Sequence, residues 1–305
     1  MILSRLRETV SSLSTTARFI SEHPIARRDR KAAFGRWLRW QLGARLIPGR
    51  VVVPFVDDTV LVVEPGMTGA TGAVYVGLHE FDDMAFVIHF LRDGDRFLDI
   101  GANVGTYSVL AGGVCGARGF AVEPVRTTFG RLAMNLRANG LETKVWACNV
   151  ALGRVQGKVA FTTGLGAMNH VASAGEAAGT VDVDVTTVDA LVGDARPRLV
   201  KIDVEGFEAE VLAGGRATFE APEVEVVIVE LNGSGARYGF DEASIERELA
   251  RLGFVPHSYA PEERRLSPLA GKNPAGGNTL YLRDAATAQS RVDAAPKRRV
   301  LGIDL

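Results

Sequence analysis

The stretch FLDIGANVGTYS, residues 97 to 108, places Asp99, Gly101, Asn103 and Gly105 at every second position directly after an apolar run. Phe97 to Ile100 reads as the end of a buried strand and Val104 to Leu110 as the first turns of a helix, so the chain must turn within about five residues. Gly101 and Gly105 let the backbone approach a ligand closely, and Asn103 suits a left-handed turn or a helix cap. The helix start offers free N–H groups and a positive dipole end to a carboxylate or phosphate. Asp99 sets the opposite charge beside it. A ligand carrying both a carboxylate and an ammonium matches that pairing, whereas a pyrophosphate is repelled.

Glu123 follows Asp99 by 24 residues, at the end of the next strand-like run. An acid there can accept hydrogen bonds from both hydroxyls of a ribose, as NAD and S-adenosylmethionine sites both require. The dinucleotide fingerprint G-x-G-x-x-G is not met, because the order is Asp99-x-Gly101-x-Asn103-x-Gly105. A tight strand-to-helix turn with no ligand is the plain alternative. Two more acids, Asp203 and Glu205, stand in KIDVEGFE. His170, in MNHV, is the one histidine of a long loop; it offers a base that titrates near neutrality or an ordinary locally bonded loop imidazole. Asn169 beside it is suited to bind substrate hydroxyls.

Positioning such groups requires a scaffold, and the pattern supplies one. Strands are expected at Phe97 to Ile100, Phe120 to Glu123, Lys144 to Cys148, Leu199 to Asp203 and Val224 to Glu230. Helices are expected at Val125 to Asn139, Phe207 to Phe219 and Asp241 to Leu252. This alternation argues for a mostly parallel sheet covered on both faces, with ligands beyond the carboxyl ends of the strands. Phe254 to Tyr259 and Thr279 to Arg283 read as a terminal hairpin, and 157–163 with 180–186 as an inserted one. Ahead of the core, residues 51–78 read as a strand hairpin and a glycine-rich loop. Phe81, Met84, Val87, Ile88 and Leu91 then mark a helix that Asp93-Gly94 ends. The tail 285–305, Ala-rich and basic, is expected to be loosely ordered.

The 305 residues are 47% hydrophobic, enough for one large folded domain with attachments. A net charge of −1 conceals an asymmetry: residues 1–50 hold 11 Lys/Arg against 3 Asp/Glu, the remainder 24 against 33. Leu3, Leu6, Val10 and Leu13 give the basic arm a helical spacing, and Trp37 and Trp40 share one face. The arm would rest on anionic lipid or an acidic partner, or its tryptophans pack it onto the body while its arginines stay solvated. Cys115 and Cys148 have no metal-ligand spacing, no run is apolar enough for a membrane span, and no secretory leader is visible, so a cytoplasmic protein is expected. A body of this acidity is a poor partner for nucleic acid.

The set GLHEFDDMAF, FLDIGANVGTYSVLA, AVEPVRTTFGRLAMNLRANG, NVALG, LVKIDVEGFEAEVLAGG and VIVELN resembles the FkbM family of S-adenosylmethionine-dependent methyltransferases over about residues 51 to 284. The resemblance implies an α/β class I methyltransferase fold, Rossmann-like and three-layered. Its seven-stranded, mostly parallel sheet would run 3-2-1-4-5-7-6 with strand 7 antiparallel, here with an N-terminal helical extension. It implies methylation of a hydroxyl on a sugar or secondary metabolite. Asp99, Gly101, Asn103 and Gly105 would hold the methionine part of the cofactor and Glu123 its ribose. Asn149 matches the place of the adenine edge or is a loop cap, and Glu80 reaches the same pocket or is an exposed helix acid. Asp203 at the end of strand four would be general base or hydroxyl acceptor, with Glu205 positioning substrate or cofactor, unless one of them caps the next helix and pairs with Lys201. Asp203 with Glu230 and Asn232 also resembles the oxygen ligands of metal-dependent catechol-type enzymes, and no metal is assigned from spacing. An NAD-linked oxidoreductase and a non-catalytic, membrane-peripheral adaptor are the remaining alternatives.

Overall fold

The computed structural model describes residues 14–46, 49–173, 176 and 179–305. The apolar positions read at Leu3 to Leu13 lie outside the described residues. Helix α1 (residues 14–22), α2 (Pro24–Arg28) and α3 (Arg30–Leu46) form the arm. Phe34, Trp37 and Trp40 pack against a small core of Ile20, Ala26, Ala33, Tyr75 and Val76, and the Arg36 guanidinium donates to the Tyr75 carbonyl at 2.9 Å. The tryptophans therefore seat the arm on the body.

Strands β1 (Val51–Pro54) and β2 (Val60–Val63) pair as the expected antiparallel hairpin. The following segment is helix α4 (Thr68–Val76), where a glycine-rich loop was expected. Glycine lowers helix propensity by only about 1 kcal/mol, and close packing recovers that here: a Cβ on Gly72 would stand 2.9 Å from the His79 Cβ. Helix α5 (Phe81–Phe90) then enters the core with Met84, Phe86, Ile88 and Phe90 fully buried.

The main sheet is built from β3 (Arg96–Ile100), β4 (Arg118–Val122) and β5 (Val145–Cys148), joined by α6 (Thr106–Val109, continuing as a π turn to Val114) and α7 (Arg126–Ala138). A small three-stranded sheet follows, made of β6 (Ala151–Leu152), β7 (Gly157–Thr162) and β8 (Thr180–Thr186), and contains the inserted hairpin. Helix α8 (Val188–Val192) returns the chain to β9 (Leu199–Ile202). The helix expected at Phe207 to Phe219 is two: α9 (Glu208–Ala213) and α10 (Arg216–Glu220). They break at Gly214, where a Cβ would stand 2.0 Å from the Gly153 carbonyl oxygen of the insert. After β10 (Val226–Glu230) come α11 (Glu242–Arg251), β11 (Val255–Ala260), β12 (Arg265–Pro268) and β13 (Asn278–Leu282).

The strand order is β12-β11-β13-β10-β9-β3-β4-β5, with β13 antiparallel to both neighbours and the five from β10 to β5 parallel. Numbered from β3 this is 3-2-1-4-5-7-6, extended by β12 at the edge. The terminal hairpin is thus a three-stranded unit. Its extra strand lies in what reads as a polar linker, because Leu266 is the only large apolar residue of RLSP.

Alternation along the strands divides the core. Leu98, Ile100, Val122, Val200, Ile202, Val227 and Val229 pack against α8 to α11, and Phe97, Ala121, Leu199, Val226 and Ile228 pack against α5 and α6. Period two puts Asp99 and Lys201 on the second face, where they are direct register partners. The tail is ordered: α12 (Ala285–Asp293), β14 (Arg299–Val300) and β15 (Ile303–Asp304) bury Ala288, Val292 and Val300 in the α5 face. Arg291 bonds the Phe90 carbonyl and Asp95, while Arg299 N–H donates to Asp57 Oδ1 at 2.7 Å. Few large apolar residues mark the tail because its anchors are guanidinium and backbone bonds. Helix α7 also holds the hairpin. Asn139 takes both polar groups of Val60, and buried Asn135 accepts from Val62 N–H at 2.6 Å while donating to the Val104 carbonyl at 2.7 Å.

Candidate active site

A cavity opens at the carboxyl ends of β3, β4, β9 and β10, as expected for an open parallel sheet. Its floor is the turn after β3. Gly101 has φ +77, and a Cβ there would stand 1.8 Å from the Asp203 carbonyl oxygen, so only glycine fits between the two strand ends. Asn103 follows at φ +50 and donates its N–H to Glu123 Oε2 at 3.1 Å. Val125 N–H donates to Glu123 Oε1 at 2.9 Å, so this carboxyl joins the first two turns. Burial pushes it up to about 8.

Asp99 is 2% exposed, receives Ser108 Oγ–H on Oδ2 at 2.6 Å, and keeps Oδ1 without a partner among the described residues. Burial raises its pKa, partly offset by Lys201. A buried, orphaned carboxylate oxygen in the cavity lining is what a ligand ammonium would satisfy. The residues present therefore fit the amino-acid end of S-adenosylmethionine, and Glu123 with Pro124, Val150 and Leu152 fits its nucleoside end.

Behind them lies a buried polar cluster. Lys201, 3% exposed, holds Asp203 Oδ2 at 2.7 Å and lies 4.7 Å from the centre of the Tyr107 ring. Tyr107 donates to Glu80 Oε2 at 2.6 Å. Burial opposes charge on Lys201, but the Asp203, Glu80 and Asp99 carboxylates outweigh it and hold the ammonium charged. Burial likewise opposes charge on Asp203, and Lys201 overrides it and keeps this carboxyl below the usual range. Glu230, raised to about 9 by burial and by Asp203, carries the proton of a hydrogen bond between the two. Asp203 is thus an ionised acceptor with a quarter of its side chain open to the cavity (26% exposed).

Glu205 lines the same wall at φ +54, a left-handed conformation that glutamate rarely takes, and bonds Asn232. The N-cap of α9 is Phe207, with no side-chain cap bond, and Glu208, the first residue of the helix, accepts with Oε1 from Gly206 N–H of the turn at 3.0 Å. Asp203, Glu205 and Glu230 offer oxygens within 4.8 Å of one another, although Lys201 already supplies the positive charge that such a trio needs.

The cavity thus gathers Glu80, Asp99, Gly101, Asn103, Glu123, Asp203 and Glu205, together with Asn169. Gly105, Asn149 and His170 stand outside the lining. Gly105, at φ +90, seats the turn against Leu132. The Asn149 amide donates to the carbonyls of Glu123 and Pro124 at 2.9 and 2.8 Å and braces the second turn. Buried His170 bonds the Met168 carbonyl at 2.8 Å, with Glu176 3.4 Å away. His79, Tyr107 and Lys201 also line the cavity, and sequence reasoning assigned none of them to it. Strand pairing, which the sequence alone does not report, sets Lys201 beside Asp99, and His79 and Tyr107 carried no signal either.

A 3-2-1-4-5-7-6 sheet with an acid-flanked glycine turn after its first strand is the class I methyltransferase arrangement. Residues 99–256 match the Methyltransferase FkbM domain. The chain belongs to the FkbM methyltransferase family. A curated relative, hexuronic acid methyltransferase AglP of Haloferax volcanii, is 31% identical over 161 residues, covering 50% of this chain and 62% of the relative. The chain thus matches less than two thirds of that relative's length. Among solved structures, methyltransferase FkbM from Methylobacillus flagellatus aligns at TM-score 0.45 and 15% identity over 81% of this chain and 59% of that one. Precorrin-6y C5,15-methyltransferase from Geobacter metallireducens aligns at 0.39 and 14%, over 68% and 89%.

Proposed function

We propose that the protein is an S-adenosylmethionine-dependent O-methyltransferase acting on a sugar hydroxyl. The observation that carries this is the unpartnered Asp99 Oδ1 beside a glycine turn and Glu123, a set matched to an amino-acid sulfonium nucleoside. Family membership and the sugar-directed name of the Haloferax relative support the reaction class. The bound cofactor supplies an already activated methyl group. Asp99 would hold the cofactor's ammonium end, the turn at Asn103 and Thr106 its carboxylate, and Glu123 its ribose hydroxyls. Asp203, kept ionised by Lys201, accepts the hydrogen bond of the acceptor hydroxyl, aligns its oxygen and receives its proton during transfer. Glu205 positions the acceptor, and Asn149 and Gly105 hold the turns in place. His170 bonds within the insert, whose Phe161 and Asn169 line the first cavity.

Calorimetric titration tests this reading. S-adenosylhomocysteine is expected to bind, NAD not to bind, and Glu123→Ala to abolish binding; saturable NAD binding would overturn it.

The arm supports a further contact, with an anionic membrane surface. Leu38, Leu42 and Leu46 are exposed at helical spacing on α3, with Arg39 exposed beside them, and no helix among the described residues is long and apolar enough to cross a membrane. Cosedimentation with phosphatidylserine vesicles, lost in Leu38→Glu/Leu42→Glu, is the expected result. The free thiols of Cys115 and Cys148 accord with a reducing cytoplasm.

A further inference from the structure

A second cavity, of about 360 Å³, lies between the start of α5 and the ends of β11 and β13. This is within the size range of about 300–1,000 Å³ for small-molecule sites. His79 and Glu80 line both cavities, so the second adjoins the first through one shared wall. On the far side, Asn278 is the register partner of Glu230, which lines the first cavity.

The second lining is rich in hydrogen-bonding groups. Asn278 is 6% exposed, donates Nδ2 to Asp83 Oδ2 at 3.2 Å, and keeps Oδ1 unpartnered among the described residues. His257, also 6% exposed, spends Nδ1 on the Val255 carbonyl at 2.9 Å, which leaves Nε2 for a ligand. His79 Nδ1 is unpartnered on the shared wall among the described residues, while the Ser258 hydroxyl donates to the Ser267 carbonyl at 3.5 Å. The charge in this lining is of one sign: Glu80, Asp82 and Asp83 are acids, and no lining residue is Lys or Arg. In the first cavity the single cation, Lys201, is already spent on Asp203.

We propose that this second cavity is the acceptor subsite, built for an uncharged, hydroxyl-rich sugar ring and against a hexuronate. The proposal rests on the methyl-transfer reading and narrows its substrate class. A ring here would offer hydroxyls to Asn278 Oδ1 and His257 Nε2, with its edge toward His79, Glu80 and the first cavity. A ring carboxylate would meet Glu80, the exposed Asp82 and Asp83, whose carboxyl is pushed up to about 7 by burial, with no free cation among the described lining residues, and an unpaired like-charge contact disfavours binding.

Saturation-transfer NMR on the full chain, with and without S-adenosylhomocysteine, compares methyl hexopyranosides of gluco, galacto and manno configuration with the corresponding hexuronates. Neutral glycosides are expected to bind at least about tenfold more tightly than hexuronates, a difference of about 1.4 kcal/mol. His257→Phe and Ala275→Trp, the second at an exposed lining position, are each expected to remove the sugar signal while S-adenosylhomocysteine affinity and Tm stay at wild-type values. Asp82→Lys is expected to raise hexuronate binding. Equal or tighter hexuronate binding to the wild type, no sugar signal at all, or a signal untouched by both cavity variants would overturn the proposal. Loss of S-adenosylhomocysteine binding alone would instead strike the methyl-transfer reading, and the arm run without it still decides whether the cavity holds a sugar.

Discussion

Two turns lie side by side at the carboxyl ends of the neighbouring strands β3 and β9 and line the cavity, and each contains a non-glycine residue with positive φ. In the turn after β3 this is Asn103 at φ +50, a residue type that tolerates the conformation, with its N–H tied to Glu123. In the turn after β9 it is Glu205 at φ +54, a type that does not, with a half-buried side chain on the cavity wall. The first turn is a relaxed cradle. The second holds strain to aim a carboxyl, and such strain concentrates where function requires it. One turn is therefore organised for holding and the other for acting.

The largest expected effect would come from breaking the cradle. Gly101→Ala drives a Cβ into the Asp203 carbonyl, and urea unfolding should show a loss of about 3 kcal/mol or more with S-adenosylhomocysteine binding abolished. On the acting side, Lys201→Met leaves the partly buried Asp203 carboxylate without its ion-pair partner. A loss of about 3–5 kcal/mol is expected by chemical denaturation. A third outcome separates the turns by pH. Glu123 is raised from 4.5 to about 8, so the fold binds its proton more tightly than the unfolded chain does. Its stability contribution is full below pH 4.5 and is lost as pH climbs through 8, a fall in Tm over that window that Glu123→Gln should flatten. Glu205→Gly relaxes the second turn: about 1 kcal/mol gained in unfolding free energy, accompanied by a lower kcat. The smallest effect belongs to His170→Ala, for which kcat should match the wild type because the imidazole lies outside the cavity.

Much of this arrangement was readable in advance where chemistry is local. Asp99, Gly101 and Asn103 are adjacent in the chain, and their turn follows from an apolar run meeting a glycine. The five parallel strands were legible from apolar runs alone. Contacts fixed by tertiary pairing were not: Lys201 meets Asp99 only because β9 pairs beside β3, and His79 packs on Gly72 of α4, in a segment that reads as a loop. The tail was misread for a related reason. Its order comes from Arg291 and Arg299 bonding distant carbonyls and acids, and no period in the sequence reports such anchors.

Asn135 and Asn139 act at a distance from all of this chemistry. By occupying the outward amides of Val60 and Val62, they finish one side of a two-stranded ribbon with amide side chains in place of a third strand. An unfinished rim of that kind recruits stray chains. Replacing either asparagine by leucine would therefore reveal itself first as self-association of the purified protein.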